Sequence, residues 1–388
     1  MINETVILDS LRSPIGKYRG ILSDYKSSTL ASILVKKLLE KNPVAKAAVE
    51  QVIFGSVITA GQGQNIARQI GITAGLPVEV PAMTINEVCG SGMKAVILAR
   101  QSILLGEAQV ALVGGVEIMS NTPDVAWSQD GQALSAMTRD GLLDAFTDRL
   151  MGNTVEVISE RYGISREAMD EFSYRSHQKA LAAQKAGKFD AELVSVSADA
   201  NFDQCPRADT SLEKLAALRA VYQTDGKLTA GNASPVSDGA SALLLASNTF
   251  AKTHHLDVLA VIKATSEVGV EPENMGISPI KAIQKVLKSA QMTCSEIDLF
   301  EINEAFAASS LVIEKTLGIP SDKINIYGGA IALGHPLGST GARIIGTLAH
   351  QLKQENKHFG IASLCIGGGL GLAVLIENPN FDPLKEEK

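Results

Sequence analysis

The chain has 388 residues, 45% of them hydrophobic and 20% charged, with a formal net charge of -7. Such a composition is that of a globular protein, and at ~150 residues per domain the length predicts two or three domains. The negative balance argues against nucleic acid or an anionic membrane as a partner, but leaves room for an anionic small substrate held by local cations or helix N-termini.

The opening stretch "MINETVILDSLRSP" has no basic region followed by an apolar run, so it does not read as a signal peptide. No uninterrupted apolar stretch approaches the ~18 residues of a membrane span. Cys89, Cys205, Cys294 and Cys365 lie far apart with no C-x-x-C pair, so neither a metal site nor dithiol redox chemistry is expected. Free thiols without an export signal predict a cytoplasmic protein.

In chain order, "VILDS" reads as a strand, "STLASILVKKLLEK" as an amphipathic helix, "QVIFGSVI" as a strand and "QNIARQIGI" as a short helix. A strand "AMTIN", a helix "GMKAVILARQSILLG" and a strand "AQVALVGG" follow. For about 120 residues the alternation then breaks. This stretch carries the only tryptophan, Trp127, in the polar loop "SNTPDVAWSQDGQ", and a long helix candidate, "SREAMDEFSYRSHQKALAAQKAG". "ASALLLAS" closes the first half with a further strand.

The second half repeats the order. Strand "LAVIKATSEVGV", helix "PIKAIQKVLKSA", strand "IDLFEIN", helix "EAFAASSLVIEKTLG", strand "INIYGG" and helix "GSTGARIIGTLAHQLKQ" lead to strands "GIASLCIG" and "GLAVLIE". Both halves read as βαβαβαββ, which predicts an internal duplication in an α/β protein with mainly parallel sheets covered by helices. The expected division is 1–117 plus 237–257 for the N-terminal half, 118–236 for an inserted loop domain and 258–388 for the C-terminal half. An insertion outside the sheet commonly carries substrate contacts, and equally serves as a cap or an oligomer arm.

Ligands in open α/β sheets gather at the carboxyl ends of strands. Cys89 in "NEVCGSGMKA", Asn303 in "EINEAFA", His335 in "GGAIALGHPLGSTGAR" and Cys365 in "SLCIGGGLG" all follow predicted strands. Taken alone, each thiol is a small buried hydrophobe as readily as a nucleophile. A helix N-terminus at Cys89 would favour the thiolate through the dipole. His335 among glycines suits a general base or hydrogen-bond donor, and Gly367 to Gly369 suit either a tight hairpin or exposed N–H groups at an oxyanion site. "GQGQNIA" lacks the remainder of a dinucleotide fingerprint, and "GHPLGSTG" lacks the lysine of a nucleotide-hydrolysing loop. His254 and His255 read as solvated, His177 and His350 as surface or boundary positions, and Cys205 and Cys294 as thiols in polar surroundings.

Together "NEVCGSGMKAV", "NEAFA", "GGAIALGHPLGSTGAR" and "LCIGGGLGLA" resemble the signature blocks of the thiolase family, in its acetyl-CoA acetyltransferase group. Inside the insertion, "DGLLDAF", "MGNT" and "LTAGNASPVSDGASALLL" continue the likeness over nearly the whole chain. The resemblance implies the thiolase fold, two duplicated halves forming a layered αβαβα core with the insertion as a loop domain that binds coenzyme A. It implies reversible condensation of two acetyl-CoA to acetoacetyl-CoA and CoA, or CoA-dependent thiolysis of a 3-ketoacyl-CoA, with no cofactor because CoA is itself substrate and product.

Carried over residue by residue, Cys89 would take the acyl group with His335 helping to remove its proton, and Cys365 would act as the second base. His335 and a water on Asn303 would form one oxyanion hole, and the N–H groups of Cys89 and Gly367 the other. Arg207 would meet the adenine or phosphate end of CoA. Leu142, Met151, Tyr222, Ala230, Ser234, Val236, Ala305 and Phe306 would line the pantetheine path.

Three departures stand out. Leu150 precedes Met151 where short-chain members often have histidine, Lys214 replaces a frequent serine, and the segment 121–139 is shorter than in tetrameric relatives, so a homodimer or a homotetramer is expected. The alternatives are a 3-ketoacyl-CoA thiolase of fatty-acid β-oxidation with a broader chain-length range, a ketoacyl synthase-like enzyme, a non-catalytic CoA-binding protein and, outermost, a nicotinamide-dependent oxidoreductase.

Overall fold

The computed structural model describes residues 4–126, 131 and 133–385; Trp127 lies outside the described residues. In chain order the elements that build the core are β1 (Thr5–Arg12), α1 (Ser27–Lys41), β2 (Val49–Gly55), α2 (Ile66–Thr73), β3 (Ala82–Ile85), α3 (Ser91–Leu105) and β4 (Val110–Ile118). Between β4 and β5 (Ser237–Ser247) lies the insertion, whose main helices are α4 (Met151–Arg161) and α5 (Arg166–Lys185). The second half contributes β6 (Ala260–Gly269), α6 (Ser278–Ala290), β7 (Leu299–Ile302), α7 (Ala307–Leu317), α8 (Leu337–Gln354), β8 (Phe359–Ile366) and β9 (Leu370–Glu377).

These strands form one sheet of ten, in the order β7-β8-β9-β6-β1-β5-β4-β2-β3, with the short strand Gly16–Lys17 on β5. The two halves, expected as separate sheets, are joined where β1 pairs antiparallel with β6 at Thr5 to Ile7. Mainly parallel pairing is not what forms. Only β7–β8, β2–β3 and β2–β4 are parallel. The strands β1, β5, β6 and β9 all run antiparallel to their neighbours.

Side-chain alternation sorts the residues into layers. Ile7, Ala111, Val113, Leu243, Leu364, Leu372 and Val374 share one cluster with α3 and α8. Their neighbours Val6, Leu112 and Leu244 face α1 and α2, and Ile361, Ala373 and Leu375 face α6. The halves of the sheet therefore clasp α3 and α8 between them, giving five layers, αβαβα. Helix α8 is buried from Leu337 to Leu352, as a helix walled on all sides must be. The segment 88–105 is long and apolar enough to cross a membrane by length and composition, which the sequence reading did not anticipate. Met93, Ala95, Val96, Ile97, Ala99 and Ile103 are instead part of the middle layer, while Leu105 is exposed.

The predicted strand at 324–329 is also absent; only Ile324 bridges to Phe300. Asn325, at φ 45°, substitutes for the ladder. Its side-chain Oδ1 accepts from Ile302 N at 2.9 Å and its Nδ2 donates to Ile302 O at 2.8 Å. A side-chain amide thus satisfies the edge of β7 that a strand would have covered.

Candidate active site

The turn between β3 and α3 sets the first thiol. Val88 adopts φ 46°, a left-handed conformation that is costly for a β-branched residue. Asn86 Oδ1 accepts from Val88 N at 2.9 Å, and Ser91 Oγ accepts from Glu87 N at 2.8 Å while donating to Val88 O at 2.7 Å. This clamp offsets the strain and sets Cys89 at the entrance to α3, 6% exposed. Backbone N–H groups of Gly367 and of Cys89 itself reach its sulfur. The thiolate expected from the helix dipole is not the resting form. Burial and the neighbouring Cys365 push the Cys89 thiol up to about 12, outweighing the dipole and both donors.

Cys365 is the penultimate residue of β8 rather than a residue beyond it, and its thiol is pushed up to about 11 by burial. Parallel pairing of β7 with β8 brings Asn303 alongside, Asn303 N donating to Ser363 O at 3.0 Å. After Ile366 the chain turns through Gly367 to Gly369, where Gly368 and Gly369 both have φ 85°. A Cβ on Gly367 would overlap the terminal methyl of Met151.

His335 follows the helical turn Ala330–Leu333, not a strand, and precedes α8. Its tautomer follows from its neighbours. Thr340 Oγ1 donates to Pro336 O at 2.9 Å, so its lone pair accepts from His335 Nδ1–H at 2.7 Å. Nε2 is thereby left with its lone pair, 3.4 Å from Asn303 Nδ2. Burial, and then the nearby Arg343, hold the imidazole neutral, its pKa lowered to about 3. Asn303 is 3% exposed, and among the described residues its Oδ1 has no hydrogen-bond partner, which leaves an acceptor for a water.

Small residues bring these pieces together. The N-termini of α3 and α8 pack so closely that a Cβ on Gly92 would lie 2.7 Å from Gly338 O and 2.8 Å from Ala342 N. The turn carrying Cys89 and the loop carrying His335 precede those two ends. The site thus joins two protonated thiols, one neutral imidazole and one half-satisfied amide. It is equipped for acyl transfer to sulfur.

Comparison with known proteins decides the family. Residues 5–249 match the model of the thiolase N-terminal domain and residues 256–378 that of the thiolase C-terminal domain. The chain belongs to the thiolase family. It is 46% identical over 391 residues to an acetyl-CoA acetyltransferase of Chromobacterium violaceum, covering 97% of this chain and 100% of the relative. A probable acetyl-CoA acetyltransferase of Escherichia coli is 44% identical, with 97% and 99% covered. Among solved structures, the Bacillus anthracis acetyl-CoA acetyltransferase superposes with a TM-score of 0.95 at 39% identity, covering 97% of this chain and 99% of that one. Human mitochondrial 3-ketoacyl-CoA thiolase gives 0.93 at 35% identity, with the same coverage.

The remaining expected contacts of this thiolase fall into four groups. Met151, Tyr222, Ala305 and Phe306 share an apolar cluster with Cys365, Tyr222 and Phe306 meeting edge to face at 5.9 Å. Leu142 and Val236 pack in the cluster that holds Cys89. Ser234 N donates to Ala305 O at 2.9 Å, linking insertion to core. Arg207 and Ala230 are not with the thiols. They line a separate cavity of about 530 Å³ with Lys17, Gln204 and Lys214. Lys214 is already engaged there, donating to Asp209 Oδ2 at 2.9 Å.

Two histidines read as surface or boundary positions are buried in this thiolase. His177 Nδ1 accepts from Arg207 N at 3.2 Å, and His350 Nε2 donates to Ser10 O at 3.0 Å. Cys205 is also buried, at 7% exposure, on the wall of the Arg207 cavity. The residue that the sequence reading missed altogether is Glu117. It is 1% exposed, under the N-terminus of α8. The signal was available, since one carboxylate interrupts the apolar strand "VALVGGVEI".

Proposed function

We propose that this thiolase is an acetyl-CoA C-acetyltransferase, condensing two acetyl-CoA to acetoacetyl-CoA and CoA and running the reverse thiolysis. One observation carries the reading: two buried thiols share one site with a neutral imidazole, with the backbone N–H of Gly367 placed to favour the thiolate of Cys89.

Cys89 attacks the thioester carbonyl while His335 Nε2 takes its proton. The new Nε2–H and a water on Asn303 then face one oxyanion, and the N–H groups of Cys89 and Gly367 face another. The departing CoA sulfur takes the proton of Cys365, leaving Cys365 as thiolate opposite imidazolium. That thiolate removes an α-proton from the second acetyl-CoA. The carbanion attacks the Cys89 thioester, a C–C bond forms, the C–S bond breaks, and Cys89 recovers its proton from His335. In the return direction Cys365 deprotonates CoA for thiolysis. No cofactor enters the cycle.

CoA would lie with its phosphates toward Arg207 and its pantetheine arm along Ala230, Ser234, Val236, Leu142, Tyr222, Met151, Ala305 and Phe306. Residues 118–236 act as the CoA-binding insertion between the halves 1–117 plus 237–257 and 258–388. Strand β3 ends the sheet and leaves Met83 45% exposed, an edge suited to a second copy in a homodimer, or in a homotetramer built from two. The assigned compartment is the cytoplasm. A ketoacyl synthase is disfavoured, because Cys365 stands where those enzymes generally place a second histidine.

Thiolysis rates over 3-ketoacyl-CoAs of increasing chain length test the proposal. Preference for acetoacetyl-CoA is expected. A maximum at longer chains would move the assignment to a 3-ketoacyl-CoA thiolase, and inactivity on all of them would overturn it.

A further inference from the structure

Alternation along β4 turns Ala111, Val113, Gly115 and Glu117 toward the middle layer. The last of these is a carboxylate buried where apolar side chains would pack as well. Its two oxygens collect three backbone donors from two different elements. Oε2 accepts from Val57 N at 3.0 Å and from Gly338 N at 2.9 Å, and Oε1 accepts from Ile58 N at 3.1 Å.

Gly338 belongs to the first turn of α8, whose cap residue, Pro336, has no side chain able to accept a bond. Pro336 O accepts from Ser339 N and Thr340 N, both at 3.0 Å, and Gly338 N is left to Glu117. A carboxylate from another strand therefore caps this helix, where the dipole favours an anion. The connection runs on to the imidazole, because the same turn carries Pro336 O, which holds Thr340, which receives His335 Nδ1–H.

We propose that Glu117 is a positioning residue for His335: its carboxylate ties the first turn of α8 to residues 57–58, and turnover requires it ionised. The proposal rests on the thiolase reading of the site. Burial, with Asp238 of β5 adding to it, pushes Glu117 up to about 7. The other titratable group facing it is the Cys89 thiol, and the imidazole of His335 lies beyond the turn it holds. Protonation removes the charge and turns one of the two oxygens into a hydroxyl facing backbone N–H groups, so the tie weakens as pH falls through about 7. His335 itself, lowered to about 3, does not titrate in that range.

The experiment measures kcat, KM for CoA and the pH profile of acetoacetyl-CoA thiolysis for the full chain and for E117Q and E117D. Activity of the unaltered enzyme tests the thiolase reading by itself, so the two ideas fail separately. In E117Q, kcat should fall on the order of 30-fold or more with KM for CoA changed less than about twofold, and the rise of activity through about pH 7 should disappear. E117D, which keeps the carboxylate one methylene short, should regain part of kcat together with a pH rise. The proposal is overturned if E117Q keeps kcat within about threefold, or if it loses kcat yet keeps the same acid limb, as a purely structural residue would. Should E117Q not fold, E117D decides: a displaced acid limb supports the proposal, and an unshifted limb at full kcat overturns it.

Discussion

Replacing Gly92 with alanine separates the two helix ends that carry the chemistry. The added Cβ would sit 2.7 Å from Gly338 O and 2.8 Å from Ala342 N, both backbone atoms that no rotamer can move. Reaching ordinary contact at 3.4 Å requires about 0.7 Å of separation between the N-termini of α3 and α8. A 1 Å misplacement costs about 10²-fold in rate, so 0.7 Å predicts a loss on the order of 20-fold in kcat. Overpacking should also cost about 1–3 kcal/mol. At about 2.1 cal/mol/K per residue this length gives an unfolding entropy near 0.8 kcal/mol/K, and hence a fall in Tm of roughly 1–4 °C. Acetoacetyl-CoA thiolysis and a thermal melt of Gly92→Ala read both effects. If kcat stays within twofold while the melt is unchanged, the close approach of these helices is not what aligns Cys89 with His335.

Further outcomes follow from the same geometry. Cys89→Ala should abolish thiolysis, and full retention would exclude the acyl-enzyme. Cys365→Ser should still be acylated at Cys89, the CoA then leaving as its thiolate, but condense about 10³-fold more slowly, which single-turnover mass spectrometry can follow. Asn303→Ala removes the contact to His335 Nε2 and the acceptor for a water, so kcat should drop about 10²-fold with little change in KM. Because burial pushes Cys89 up to about 12, its alkylation by iodoacetamide in the free enzyme should keep accelerating as pH rises past 9. A plateau near neutral pH would show a resting thiolate instead, and acetyl-CoA should protect the thiol.

Cys89, His335 and Cys365 were legible because each lies in a short glycine-rich segment near an element boundary, and Asn303 because it directly follows an apolar strand, places where packing alone gives little reason for Cys, His or Asn. Their joint order carried the family. What escaped the sequence was set by contacts distant along the chain. The β1–β6 seam exists only once both halves have folded, so nothing local in "VILDS" announces it. Residues 324–329 looked like a strand by composition, yet Asn325 meets β7 through its side chain. At Cys89 the helix dipole was visible in sequence, while the burial that outweighs it was not. Glu117 was overlooked because its partners are backbone N–H groups at 57, 58 and 338, which no motif records.

The central claim is that Cys89 holds the acyl group while Cys365 serves as the base. Brief exposure of Cys365→Ser to acetyl-CoA, acid quenching and peptide mass spectrometry test it most directly. The prediction is one acetyl group on the peptide carrying Cys89 and none elsewhere. Acetyl on another residue, or an unmodified Cys89 peptide in enzyme whose parent is active, would contradict it.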